Sequence, residues 1–104
     1  MANKNGTIDL GSVRTIAGVV KIKGICTFQL FSSDLSATTD IAVEGSLDGG
    51  TSWGAMEESG VAITDSLVID VVKLISVECD APMKVRINFG GATTGNVAYY
   101  HTLL

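Results

Sequence analysis

Met83-Lys84-Val85-Arg86-Ile87-Asn88-Phe89 sets four apolar side chains in alternation with three polar ones. Period two marks a strand with one buried and one wetted face, and a slip of one residue would bury Lys84 and Arg86, so the register is fixed. The same alternation recurs, less cleanly, along the chain. Residues 25–31 place Cys26, Phe28 and Leu30 on one side and Ile25, Thr27, Gln29 and Phe31 on the other, the pattern of a central strand. Short strands are predicted over 7–10, 12–16, 18–23, 61–64 and 73–79. In 18–23, Val20 and Ile22 share one face while Lys21 and Lys23 share the other. Residues 67–71 read as a strand with Leu67, Ile69 and Val71 inward and Asp70 outward. The run 67–79 also approaches helical spacing at Leu67, Val71, Leu74 and Ile75, but Val, Ile and Ser dominate it, which favours strand.

The segment on which the pattern turns is Ser46-Leu47-Asp48-Gly49-Gly50-Thr51-Ser52-Trp53. An alternating arm, residues 40–45, runs into Asp-Gly-Gly and emerges on an aromatic, the pattern of a β-hairpin whose second arm covers 53–57. Gly49 and Gly50 supply the positive φ of a tight reversal, and the Asp48 carboxylate is placed to accept hydrogen bonds from the turn's own N–H groups. Trp53 is expected to fold back over the second arm, its large apolar area pinning the hairpin to whatever lies beneath. Glu57-Glu58-Ser59-Gly60 forms the next turn. In the closing strand, 97–104, Val97, Tyr99, His101 and Leu103 share one face and Ala98, Tyr100, Thr102 and Leu104 the other. With apolar groups on both faces, this strand is expected to be central in its sheet or covered by a neighbouring subunit.

About eight short strands separated by Gly, Asp and Ser turns, with no convincing amphipathic helix, predict an all-β chain: a single antiparallel β-sandwich of jelly-roll type. The sandwich is expected over 7–104, with polar residues 1–6 as a flexible or partner-bound arm. A length of 104 residues suits one domain. Hydrophobic residues make up 46% and charged ones 17%, so apolar surface is expected to be left over for a partner. The net charge is −4, which disfavours nucleic acid, and only seven Lys and Arg are present. Residues 1–24 sum to +3, 34–80 to −9 and 81–104 to +2, a distribution suited either to head-to-tail contact between copies or to ordinary solvated strand faces.

Candidate chemistry is thin, and no enzyme is expected. His101, the single histidine, has no Ser or Cys paired with it by spacing and reads as a satisfied structural residue. Cys26 and Cys79 sit at apolar-phase positions and read as buried free thiols in preference to a disulfide. One histidine and two distant cysteines give no zinc spacing, and the Asp48 loop lacks the alternating oxygen ligands of a calcium loop. No cofactor or metal is called for. No apolar run long enough to span a membrane is present, and the first residues lack a signal-peptide core, which predicts synthesis in the cytoplasm.

Two resemblances add to this. Ser46-x-Asp48-x-Gly50-x-Ser52-Trp53 is similar to the Asp-box, the Ser-x-Asp-x-Gly-x-Thr-Trp hairpin of sialidase-type propellers and other β-proteins, departing at Ser52. That resemblance implies that Trp53 packs in the core; the motif occurs once, in a chain too short for a propeller and without an arginine cluster, so sialidase activity does not carry over. More of the chain resembles small β-sandwich virion proteins of tailed bacteriophages, of the head-decoration and tail-associated type. Ile41-Ala42-Val43-Glu44-Gly45-Ser46, and then Ala81-Pro82-Met83-Lys84-Val85-Arg86-Ile87, match their hairpin and following strand. That resemblance implies a noncatalytic capsid decoration subunit, made in the host cytoplasm, that contacts its own copies and the major capsid protein. Lys4, Arg14, Tyr99, Tyr100, His101 and Leu104 are the candidate interface residues. The alternatives are a tail or fibre subunit and a glycan-binding module stacking sugars on Trp53, Tyr99 or Tyr100.

Overall fold

A computed structural model describes residues 2–91 and 93–103. Eight strands build two facing sheets: β1 (Ala2–Asp9), β2 (Thr15–Val20), β3 (Gly24–Phe31), β4 (Thr39–Ser46), β8 (Thr64–Leu67), β9 (Lys73–Cys79), β10 (Met83–Phe89) and β11 (Asn96–Leu103). Three two-residue strands, β5 (Gly54–Ala55), β6 (Glu57–Glu58) and β7 (Val61–Ala62), lie between β4 and β8. One sheet runs β1-β11-β3-β9, and the other runs β2-β10-β4, with β5 and β8 sharing the far edge of β4. All pairings are antiparallel.

The pairings β1 with β11, β2 with β10, β3 with β9 and β4 with β8 join strands equally distant from the middle of the chain. This is one long antiparallel hairpin rolled into a sandwich, the jelly-roll winding that the strand count predicts. Between the sheets lie Cys26, Phe28, Leu30, Ile75, Val77, Cys79 and Val97 from one side. Ile16, Val20, Ile41, Val43, Val85, Ile87 and Phe89 face them from the other, all buried. Each such aliphatic or aromatic side chain contributes roughly 1.5–3 kcal/mol by leaving water.

Four expectations are corrected. Residues 2–6 are not an arm: β1 pairs with β11 along its length, from Ala2 opposite Leu103 to Asp9 opposite Asn96. Its residues are mostly polar because an edge strand is held by backbone hydrogen bonds and needs only Ile8 against the core. Of residues 12–16 only Thr15 and Ile16 are strand, since a turn occupies 10–12 and β2 starts at Thr15. β2 also stops at Val20, so Ile22 is not inward but 62% exposed in the following turn. Residues 68–72 do not extend β8. Asp70 turns there at φ 63, its N–H donating to Ser32 O at 2.8 Å, and Ile69 and Val71 face water.

Cys26 and Cys79 are free, buried, and diagonal neighbours on the inner face: Cys26 lies opposite Val77, and Cys79 opposite Gly24. Burial raises both thiol pKa values above the ordinary 9.0. A thiol reagent such as Ellman's should therefore leave both cysteines unmodified in the native protein and titrate two on unfolding; rapid native reaction of either would contradict the packing. Because the unfolded chain releases these protons first, the thiols' contribution to stability is complete below the ordinary thiol pKa. It should diminish as the pH rises beyond 9.0.

Candidate functional site

The turn at 46–53 is a self-contained hydrogen-bonded loop. Ser46 Oγ donates to Asp48 Oδ1 at 2.6 Å and accepts from Gly50 N at 2.9 Å, while Ser52 N donates to the same Asp48 oxygen at 3.0 Å. Ser52 Oγ also donates to Asp48 Oδ2. Gly49 and Gly50 take φ of 78° and 94°, as a tight reversal here requires. Hydroxyl bonds from Ser46 and Ser52, then the Ser52 N–H, hold the Asp48 carboxyl well below the usual carboxylate range. What Asp48 adds to folding is thus complete above that range and is lost only as the pH falls towards the lowered value.

The chain leaves this loop through β5, whose Gly54 and Ala55 lie opposite Gly45 and Glu44. Next to it Val43 N donates to Ile63 O at 3.0 Å, Met56 N to Val43 O at 2.9 Å, and Ile63 N to Met56 O at 2.9 Å. Met56 and Ile63 therefore close a neck. Everything between them projects as the small β6–β7 hairpin, reversing through Ser59 and Gly60 at φ 53° and 79°. Two consecutive residues at positive φ have the sign pattern of the type I′ turn that suits a two-residue hairpin loop. Glu57, Glu58, Val61 and Ala62 are all exposed.

Trp53 is not in the core. It is half-buried on the outer face of the sheet, with Nε1 donating to Gly50 O at 3.1 Å and its ring 4.3 Å from the Arg86 guanidinium. Arg86 Nε also donates to Glu44 Oε1 at 2.7 Å across the β4–β10 pair. This cation–π stack occupies one face of the indole, which a stacked sugar would otherwise use.

The candidate interface residues are separated by the fold. Lys4 is exposed on the β1 edge, and Leu104 lies outside the described residues. Tyr99 and His101 point inward and stack, centroids 6.0 Å apart and planes 4° off parallel, while Tyr100 faces out at 49% exposure. His101 is 1% exposed, against Phe28 at 5.4 Å, and a methyl group at Gly18 would lie 3.1 Å from its Cε1. Its Nδ1 lies 3.2 Å from Thr102 O, but Nε2 has no hydrogen-bond partner among the described residues, so it is not the satisfied histidine expected. Tyr99 and His101 are thus packing residues, not surface contacts.

Arg14 is an internal clamp. Its guanidinium donates to four carbonyls: Nε to Phe89 O at 3.1 Å, Nη1 to Leu10 O at 3.0 Å and Thr93 O at 2.9 Å, and Nη2 to Gly90 O at 2.6 Å. It ties the β1–β2 turn to the β10–β11 loop. At the same end Asp34 accepts from Asn96 N at 2.9 Å, Asn96 Nδ2 at 3.1 Å and Ser32 Oγ at 3.0 Å, bonds that lower its pKa. A surface charge and a buried-loop clamp look alike in sequence; only the carbonyls brought together by the roll distinguish them.

Sequence reasoning missed the exposed apolar loop. Val68 and Ile69 are each 41% exposed, Val71 50% and Val72 52%, and Leu74, on the β9 strand that follows, 63%. Their alternation imitates a half-buried strand, and the only local sign against it is an aspartate placed to turn the chain. Among the described residues no three His, Cys, Asp or Glu side chains gather as metal ligands, and no carboxylate or nucleophile pairs with His101.

No family model and no curated protein matches the chain. Among solved structures it is similar to the Yersinia pseudotuberculosis-derived mitogen, at 17% identity and a TM-score of 0.51, over 99% of this chain and 85% of that one. At that identity the likeness carries the fold, an all-β sandwich, and nothing of activity.

Replacing Arg14 by Ala should cost about 2–3 kcal/mol in urea denaturation, because several charge-assisted hydrogen bonds are lost together. Arg14→Lys should recover only part of it, since a single ammonium cannot reproduce the planar fork. Unchanged stability of Arg14→Ala would show that the clamp is idle.

Proposed function

We propose that this chain is a noncatalytic structural subunit of a bacteriophage virion, a decoration protein of the capsid surface acting through repeated protein contacts. The observation that carries the reading is the apolar run from Val68 through the 68–72 loop to Leu74 at the start of β9. Its five large aliphatic side chains are 41–63% exposed, whereas the aliphatics of the core are sealed. Solvent-facing Ile25, at 57%, and Tyr100 extend apolar character across the outer face of the same sheet. Such a surface favours a protein partner over a small molecule. The motif resemblance at 41–46 and 81–87 supports a virion setting, and the jelly roll is an architecture that viral capsid proteins use. The Trp53–Arg86 stack weighs against the glycan reading, whose only fully outward aromatic is then Tyr100.

In the decoration role the apolar 68–74 segment seats on the shell and many equivalent contacts add avidity. Mixed with tailed-phage heads stripped of surface proteins and repelleted, the protein should co-sediment at a fixed ratio to the capsid subunit. Val71→Asp/Val72→Asp, at two exposed positions, should remain folded and stay in the supernatant. Wild-type protein that never pellets with heads would overturn the decoration reading.

A further inference from the structure

The end of the sandwich opposite the Arg14 clamp carries a groove and a knob of opposite charge. The groove, about 350 Å³, is lined by Val19, Leu47, Pro82 and Met83 and flanked by Lys21 and Lys84. Leu47 is 75% and Val19 45% exposed, and neither lysine forms an ion pair among the described residues. The knob is the β6–β7 hairpin, with Glu57 and Glu58 unpaired in the same sense and Val61 68% exposed beside them. Glu78 and Asp80 line the cleft beneath Glu57 and Glu58, so like charges crowd the knob, and among the described residues no lysine or arginine lines that cleft. A two-stranded hairpin fastened only at its neck gains little stability from its own chain. Knob and groove each combine apolar surface with unpaired charge, and the charges complement.

We propose that the β6–β7 hairpin of one copy docks into the Val19–Leu47–Met83 groove of a second copy. There Glu57 and Glu58 meet Lys21 and Lys84, and Val61 covers the apolar floor. Because both features lie at one end, a two-fold contact seats both hairpins reciprocally and closes as a dimer. The contact rests on the proposed subunit role only in naming how copies meet, and it needs no shell.

The test is sedimentation velocity of the full chain over a concentration series at low and high salt, with two charge-reversed variants, Glu57→Lys/Glu58→Lys and Lys21→Glu/Lys84→Glu. All four substituted side chains are solvent-accessible, and circular dichroism checks that each variant folds. Wild type should dimerise, more weakly at high salt, and each variant alone should associate about tenfold less tightly or worse, as a loss of about 1.4 kcal/mol requires. Mixing the two variants should restore a one-to-one dimer, because both knob–groove contacts then join opposite charges. A wild type that stays monomeric, or variants that dimerise as tightly as wild type, or a mixture that fails to restore pairing, would overturn the proposal. None of these readings uses capsids, so failure here leaves head co-sedimentation to be judged by itself.

Discussion

The structure depends on one constraint of pairing: each strand before the middle of the chain takes a strand equally far beyond it. The first strand finds the last, and the pairs β2–β10, β3–β9 and β4–β8 follow inward. Non-local pairing of this kind carries a large loop-closure entropy, which the shared core must offset. The core can do so because alternation in every long strand sends one row of side chains to the same interior. β10 sits where the constraint is tightest, paired on both sides by β2 and β4. A register slip there would move Lys84 and Arg86 into the space that Val85 and Ile87 fill.

Much of this was legible wherever a strand is half-buried. β10, β3 and β9 announce themselves through alternation, because burial on one face leaves its period in the sequence. The positive φ at Gly49 and Gly50 and the bonds collected by Asp48 follow from the chemistry of the turn residues alone. Where burial does not set the pattern, the sequence is silent. Asn3, Lys4 and Asn5 form strand because β11 offers an open edge, a fact of the partner and not of their own composition. Val68 to Val72 carry apolar side chains with no core to enter. Arg14 and Trp53 were misplaced for a related reason. Most of what each touches, three of four carbonyls for one and a guanidinium for the other, is brought up from distant sequence by the roll.

The two ends of the sandwich have different characters. At one, Arg14 and Asp34 knit the β1–β2, β3–β4 and β10–β11 connections together, beside which the apolar 68–72 loop is displayed. At the other lies the tip of the rolled hairpin, where the chain adds the Asp48 loop and then the projecting β6–β7 hairpin. At both ends a rigid scaffold underlies exposed loops, the arrangement on which loop-borne functions generally rest. His101 fits that division. It is committed to packing inside the sandwich, stacked on Tyr99 and tilted against Phe28, away from either displayed end.

The closure of the roll, first strand on last, is the claim on which the rest stands. Amide hydrogen exchange followed by NMR tests it most directly. Amides of residues 4–8 that face β11 should be protected together with those of 97–102, exchanging only through shared opening. Free-chain exchange across residues 4–8, with 97–102 still protected, would show that β11 is not closed by β1 and would contradict the account.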